Sequence, residues 1–165
     1  MKIKTAILIT AVTLWGCSKD NKQALSTNLT DCPANFTCNY NYYDDADFTD
    51  FTQPVAGKYR VFWYKSIVNN SCGLSRQLYF KEALNSGYFE IDGSQIAAGQ
   101  VVGYNFNCPC CDLFLYTQPI GGFIKGTKTD ANIWLVNASI IFGTADKKAV
   151  DTLTINQYYT QAKLP

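Results

Sequence analysis

The stretch IWLVNASIIF, residues 133–142, decides the fold class. Trp134, Val136, Ala138, Ile140 and Phe142 recur at every second position, the period at which strand side chains share one face. Ten residues at period two predict a strand with that face on a core. Outward from it the same signal returns in shorter pieces. Val150 to Tyr159 follows a turn over Gly143 to Lys148, and Phe123 to Lys128 precedes it behind a turn over Pro119 to Gly122. Upstream, Lys58 to Val68 (KYRVFWYKSIV) puts Tyr59, Val61 and Trp63 on one face and Phe62 and Tyr64 on the other. Leu74, Leu78 and Phe80 alternate with Ser75, Gln77 and Lys81, and Tyr88 to Ile91 runs into the turn dipeptide Asp92-Gly93. Val101 to Phe106 and Leu113 to Thr117 flank a cysteine cluster.

No window carries a helix of a dozen residues; Ser94 to Ala98 has room for a single turn. The pattern therefore predicts an all-β fold: one antiparallel β-sandwich or barrel of about seven to nine strands. Short connections favour antiparallel pairing, because a parallel crossover needs a dozen or more residues. Cys32 to Gln53 has no clear period and reads as an irregular, braced lead-in with room for one short strand. The domain organisation is a signal over residues 1–16, a flexible tether over 17–31 and a single β domain over 32–165. The tether (CSKDNKQALSTNLTD) would reach about 20 Å if coil-like.

Charge and composition exclude several classes. The net charge is +1 and the chain has no histidine. No basic stripe is present and Arg60 and Arg76 are the only arginines, so nucleic acid is not an expected partner. Without imidazole, Ser-His-Asp and Cys-His catalysis and histidine metal sites are unavailable. Glu82 and Glu90, the only glutamates, sit in no recognisable catalytic setting. The expectation is a protein that is not an enzyme, with no catalytic residue, no cofactor and no metal.

The chain opens with Lys2 and Lys4, then an uncharged run from Ala6 to Trp15, too short to span a bilayer as a helix, which needs about 20 residues. It ends in Leu14-Trp15-Gly16-Cys17. That stretch resembles the lipobox of bacterial lipoproteins, and the resemblance is confined to the first seventeen residues. It implies cleavage before Cys17, a diacylglyceryl group on the Cys17 sulfur and an acylated amine, hence membrane lipid as a partner. Trp15 departs from the pattern, which more usually has a small residue there. Each buried methylene contributes about 0.8 kcal/mol, and two or more chains make attachment stable. Ser18 is similar to lipoproteins sent to the outer membrane, and Lys19-Asp20 to signals that place lipoproteins on the cell surface. Cleavage removes two lysines and no acid, taking the net charge from +1 to about −1.

With Cys17 lipidated, Cys32, Cys38, Cys72, Cys108, Cys110 and Cys111 remain. An even set in an exported domain predicts disulfides. The favoured scheme joins each early cysteine to one of the late three, because near-adjacent pairs strain against disulfide geometry. Cys108 and Cys111 also form a C-x-x-C. As a redox pair it would want a helix start to lower a thiol pKa, whereas strand-like sequence follows. A thiolate metal site with Cys72 as fourth ligand is a further, less favoured reading.

Two other clusters carry alternatives. Asp44, Asp45, Asp47 and Asp50 lack the glycine and bidentate glutamate of a calcium loop and read as a solvated acidic loop. Tyr40, Tyr42, Tyr43 and Phe48, with Phe51, suit a binding surface for a glycan or a protein, since flat rings bind at low entropic cost; otherwise they lid one end of the β domain. Three functions follow. The first is a non-catalytic, membrane-anchored envelope lipoprotein that binds or scaffolds an unknown protein or glycan. The second is a lipocalin-like carrier of a small apolar ligand, and the third a thiol oxidoreductase using Cys108 and Cys111.

Overall fold

The computed structural model describes residues 28–49, 53–70, 73–111 and 116–165. Cys17 and the lipobox, most of the tether, Asp50, Phe51, Cys72 and most of the expected strand from Leu113 lie outside the described residues.

Nine strands and one short helix make up the fold: β1 (Phe36–Asp47), β2 (Val55–Ala56), β3 (Tyr59–Val68), β4 (Ser75–Ala83), β5 (Tyr88–Ile91), α1 (Gly93–Ala98), β6 (Val102–Asn107), β7 (Gln118–Asp130), β8 (Ile133–Gly143) and β9 (Ala149–Gln161). They form one curled sheet, a half-barrel, in the order β5-β7-β8-β9-β1-β3-β4-β6, with β2 paired to β1. The all-β expectation holds, with one departure. β1 and β9 run parallel, meeting at Asn41 with Thr160 and Tyr42 with Gln161. Two antiparallel meanders are joined at that seam.

The core follows from the alternation. Trp134, Val136, Ala138, Ile140 and Phe142 all face the concave side, with Phe62, Tyr64, Leu78, Phe80, Ile155 and Tyr159. Phe62 is central: its ring lies 5.0 Å from both Phe80 and Phe89, 5.5 Å from Trp134 and 5.6 Å from Tyr159. Rings from five strands meet there only because the sheet curls. Gly126 permits one of these contacts, for Phe89 lies directly across from it and a Cβ on Gly126 would overlap the Phe89 ring. A second cluster on the convex side holds Tyr43, Ala46, Val61 and Tyr79 beneath Phe48, Ala162 and Leu164.

Several expectations are corrected. The lead-in is not irregular: β1 is a twelve-residue strand between β3 and β9. Cys38, Tyr40 and Tyr42 face inward while Asn39 and Asn41 alternate with them. A bulge then places two residues, Asp44 and Asp45, opposite Arg60, and Asp45 takes φ 53°. The bulge turns Ala46 back to the convex cluster beside Val61. At the end of the stretch expected as tether, Asn28 and Thr30 are bonded to β9: the Thr30 N–H donates to the Asn156 carbonyl at 2.9 Å and Asn156 Nδ2 donates to the Asn28 carbonyl at 2.6 Å.

Asp92 caps a helix instead of making a hairpin turn. Its carboxylate accepts from the Ser94 and Gln95 N–H groups, while Gln95 Oε1 accepts from the Asp92 N–H. Pro119 to Gly122 lies within β7, at a register shift and beyond the reach of β5, whose pairing covers Ile124 to Thr127.

Candidate functional site

The cysteines are paired differently from the favoured scheme. Cys32 is bridged to Cys38 and Cys108 to Cys111, one bridge inside each group, and Cys110 is also disulfide-bonded. The strain argument excludes adjacent residues but not a C-x-x-C that turns back on itself. The Cys111 N–H donates to the Cys108 carbonyl at 3.2 Å, and the two Cα atoms stand 5.5 Å apart, inside the normal range.

The aromatic residues expected on a binding surface lie largely inside the fold. Tyr42 and Tyr43 are 1% and 4% exposed, Phe48 is 7% exposed, and Tyr40 is half-buried against the core. Tyr43 and Phe48 pack on the convex face and Tyr42 on the concave face. Two members of the acidic run, Asp44 and Asp47, are equally committed. Asp44 takes both Nε and Nη2 of Arg60, at 2.6 and 2.9 Å, and Asp47 pairs with Lys81 at 2.9 Å. Burial pushes the Asp47 carboxyl up, but bonds from Lys81 and the Phe48 N–H, with the lysine charge, outweigh it and hold the group below the ordinary aspartate range. Among the described residues no group of three or more His, Cys, Asp or Glu could hold a metal ion.

What the fold brings together instead is a set of phenols. Tyr40 of β1, Tyr64 of β3, Tyr104 of β6 and Tyr159 of β9 all face the concave side. The Tyr40 ring lies 5.3 Å from Tyr64 and 5.5 Å from Tyr159. Tyr64 and Tyr104 flank Leu78, which pairs with both. Tyr104 in turn lies 4.3 Å from Phe142, across the open side of the half-barrel. Burial, with Tyr64 beside it, pushes the Tyr40 phenol up to about 12, and burial raises Tyr104 despite nearby Arg76. Tyr159 is wholly buried, which raises its phenol well above the ordinary range, and its hydroxyl makes no hydrogen bond among the described residues. At the rim, Arg76 and Asp151 pair at 3.0 Å and tie β4 to β9. Only Tyr40 of this set was singled out by sequence. Tyr64 and Tyr159 lie at inward positions of legible strands, but nothing local says that their hydroxyls converge.

A separate cleft of about 330 Å³ lies between the β3–β4 end and Gln100–Val101. Its Lys81 ammonium is already held by Asp47 and sits 4.8 Å above the Tyr59 ring and 4.9 Å above Phe48. The exposed aromatics are elsewhere: Tyr88, Phe123 and Tyr158 on the convex side of β5, β7 and β9, and Tyr116 before β7.

No protein-family model, curated protein or solved structure matches the chain. Among the described residues no helix is long and apolar enough to cross a membrane, which says nothing of strands.

Proposed function

We propose that this protein is an exported bacterial lipoprotein, cleaved before Cys17 and held by acyl chains in the outer membrane, whose β domain binds or scaffolds a partner without catalysing a reaction. The observation that carries the reading is the bridging of Cys32 to Cys38 and Cys108 to Cys111 behind the lipobox-like Leu14-Trp15-Gly16-Cys17. Such bridges persist in oxidising compartments, where the export signal would deliver the chain. The charged groups of the domain support binding over catalysis, since Arg60, Arg76, Lys81 and Lys125 are each paired to a carboxylate. A protein or glycan partner would meet the exposed rings Tyr88, Phe123 and Tyr158 in place of the buried ones.

The test is Cys17→Ala in an expressing bacterium, with labelled palmitate and membrane fractionation. The parent chain is expected in the membrane fraction, labelled and lacking residues 1–16; the variant is expected unlabelled and unprocessed at that site. Ordinary cleavage and membrane attachment of the variant would overturn the anchor.

A second reading, the carrier of a small ligand, is favoured by one specific observation: four phenols turned toward the interior of a sheet that does not close.

A further inference from the structure

The cleft beside Tyr59 combines room, access and unspent polar groups. Its volume is about 330 Å³, at the small end of the range in which proteins hold ligands. Helix α1 ends at Gly99, whose φ of 70° turns the chain back toward β4. The Val101 carbonyl then accepts from the Lys81 N–H at 2.9 Å, which fixes Gln100 and Val101 as one wall. Tyr59, Lys81, Glu82 and Ala83 form the other, and the exposed Ala83 and Gln100 leave the mouth open to water. Lys81 is spent on Asp47, at 2.9 Å. The Tyr59 hydroxyl, the Glu82 carboxylate and the Gln100 amide have no hydrogen bond or ion pair among the described residues.

Charge limits what could sit there. The Lys58 and Lys81 ammonium groups lie 5.6 and 4.8 Å from the Tyr59 ring, and the carboxylates of Asp47 and Glu82 oppose them, so two positive and two negative charges sum to zero. An anion would meet Glu82 and a cation the two lysines, each with repulsion added to lost hydration. A purely apolar molecule would strip water from three polar groups and return nothing. A neutral polyol with an apolar face avoids both penalties. Its hydroxyls can donate to Glu82 and accept from Gln100, while its C–H face lies against an aromatic wall. We propose that this cleft binds one neutral sugar residue, with its hydroxyls on Glu82 and Gln100 and its C–H face against Tyr59. The inference rests on the binding reading and gives it a ligand class, at a place apart from the exposed rings of β5, β7 and β9.

The experiment uses the full lipidated chain in a polyoxyethylene detergent, which carries no sugar, and saturation-transfer NMR at millimolar ligand. The probes are the methyl glycosides of glucose, galactose, mannose and N-acetylglucosamine, with methyl glucuronoside as the anionic counterpart and methyl glucosaminide, at mildly acidic pH, as the cationic one. At least one neutral glycoside is expected to bind, about tenfold more tightly than either charged probe. Glu82→Gln removes a charged acceptor and should weaken that glycoside about tenfold. It also takes the surroundings from zero to about +1, so the glucuronoside should gain on the neutral sugar. Gln100→Ala should weaken the neutral sugar about fivefold. Both substitutions remove side chains without partners in the fold, so unfolding midpoints should match the parent. Tyr158→Ser, on the convex face, should leave binding unchanged. No transfer to any neutral glycoside, tighter binding of a charged probe by the parent, or binding untouched by Glu82→Gln and Gln100→Ala each overturns the proposal. Loss of binding in Tyr158→Ser overturns it too, but moves the sugar to the convex rings and so leaves the wider binding reading standing. Membrane fractionation of the same preparation reads the anchor independently, so failure of one claim is not mistaken for failure of the other.

Discussion

Removal of the Asp44 carboxylate is the sharpest test of the packing described above. The Arg60 side chain is 7% exposed and Asp44 29%. The guanidinium lies 4.8 Å over the Trp134 ring and 5.4 Å over Tyr42, with both carboxylate oxygens of Asp44 on its nitrogens. Breaking a buried pair by deleting one partner costs about 3–5 kcal/mol, because the other charge stays buried without compensation. Asp44 is partly open to water, which can replace some of its contacts, so Asp44→Ala is expected to cost about 2–3 kcal/mol. For a domain of this size that is a fall in melting temperature of roughly 6–12 °C. Arg60→Met leaves the exposed partner free to turn to solvent and keeps an apolar stem over Trp134, so it should cost only about 1 kcal/mol. In the double variant no charge is stranded, and stability should recover to within about 1 kcal/mol of Arg60→Met. The assay is urea unfolding of the full chain at fixed detergent without reductant, read as a double-mutant cycle. Asp44→Ala within about 0.5 kcal/mol of the parent, or strict additivity in the double variant, would refute the claim that Asp44 compensates a buried charge.

Gly126→Ala should cost about 1–3 kcal/mol by forcing the Phe89 ring away from Phe62 and Trp134; an unchanged unfolding midpoint would mean that Phe89 is not seated against the glycine. On native protein, alkylation before reduction should leave Cys32, Cys38, Cys108, Cys110 and Cys111 unlabelled, and all should label afterwards. Ready labelling of Cys108 and Cys111 would instead favour the thiol oxidoreductase. Replacing Cys32 and Cys38 by serine should cost about 2 kcal/mol in the chain-entropy account of so short a loop, measured by the same urea titration. At high pH, Tyr40 has a folded pKa raised to about 12 from an ordinary 10.0. The stability tied to its neutral form is complete below pH 10 and is lost as pH rises toward 12. Tyrosinate absorbance should therefore lag in the folded chain and jump on alkaline unfolding; full phenol ionisation near pH 10 in folded protein would contradict the burial of Tyr40 and Tyr159.

Much of the fold is legible locally because strand faces are written at period two. Trp134 through Phe142, and Phe62 with Tyr64, need no partner strand to declare which side is buried. β1 escaped because the same period is present in Cys38-Asn39-Tyr40-Asn41-Tyr42 but is broken by the bulge at Asp44 and Asp45. Tyrosine, which is at home inside or outside, also gives no sign of its face. The disulfides escaped for another reason. Spacing limits which cysteines could bridge, but the turn at Cys108 to Cys111 decides which do.

By itself the sequence determined the strand-forming segments, the lack of imidazole chemistry, and the lipobox resemblance that sets the expected address. These are properties of single residues and near neighbours. Tertiary structure alone decided that Asp44 and Asp47 are spent on Arg60 and Lys81, that Tyr42 and Tyr43 are core, and that phenols from four strands share one interior. Those facts depend on the curl of the sheet and on the parallel seam between β1 and β9. That seam joins Asn41 and Tyr42 to Thr160 and Gln161, residues too far apart in the chain for any local pattern to link them.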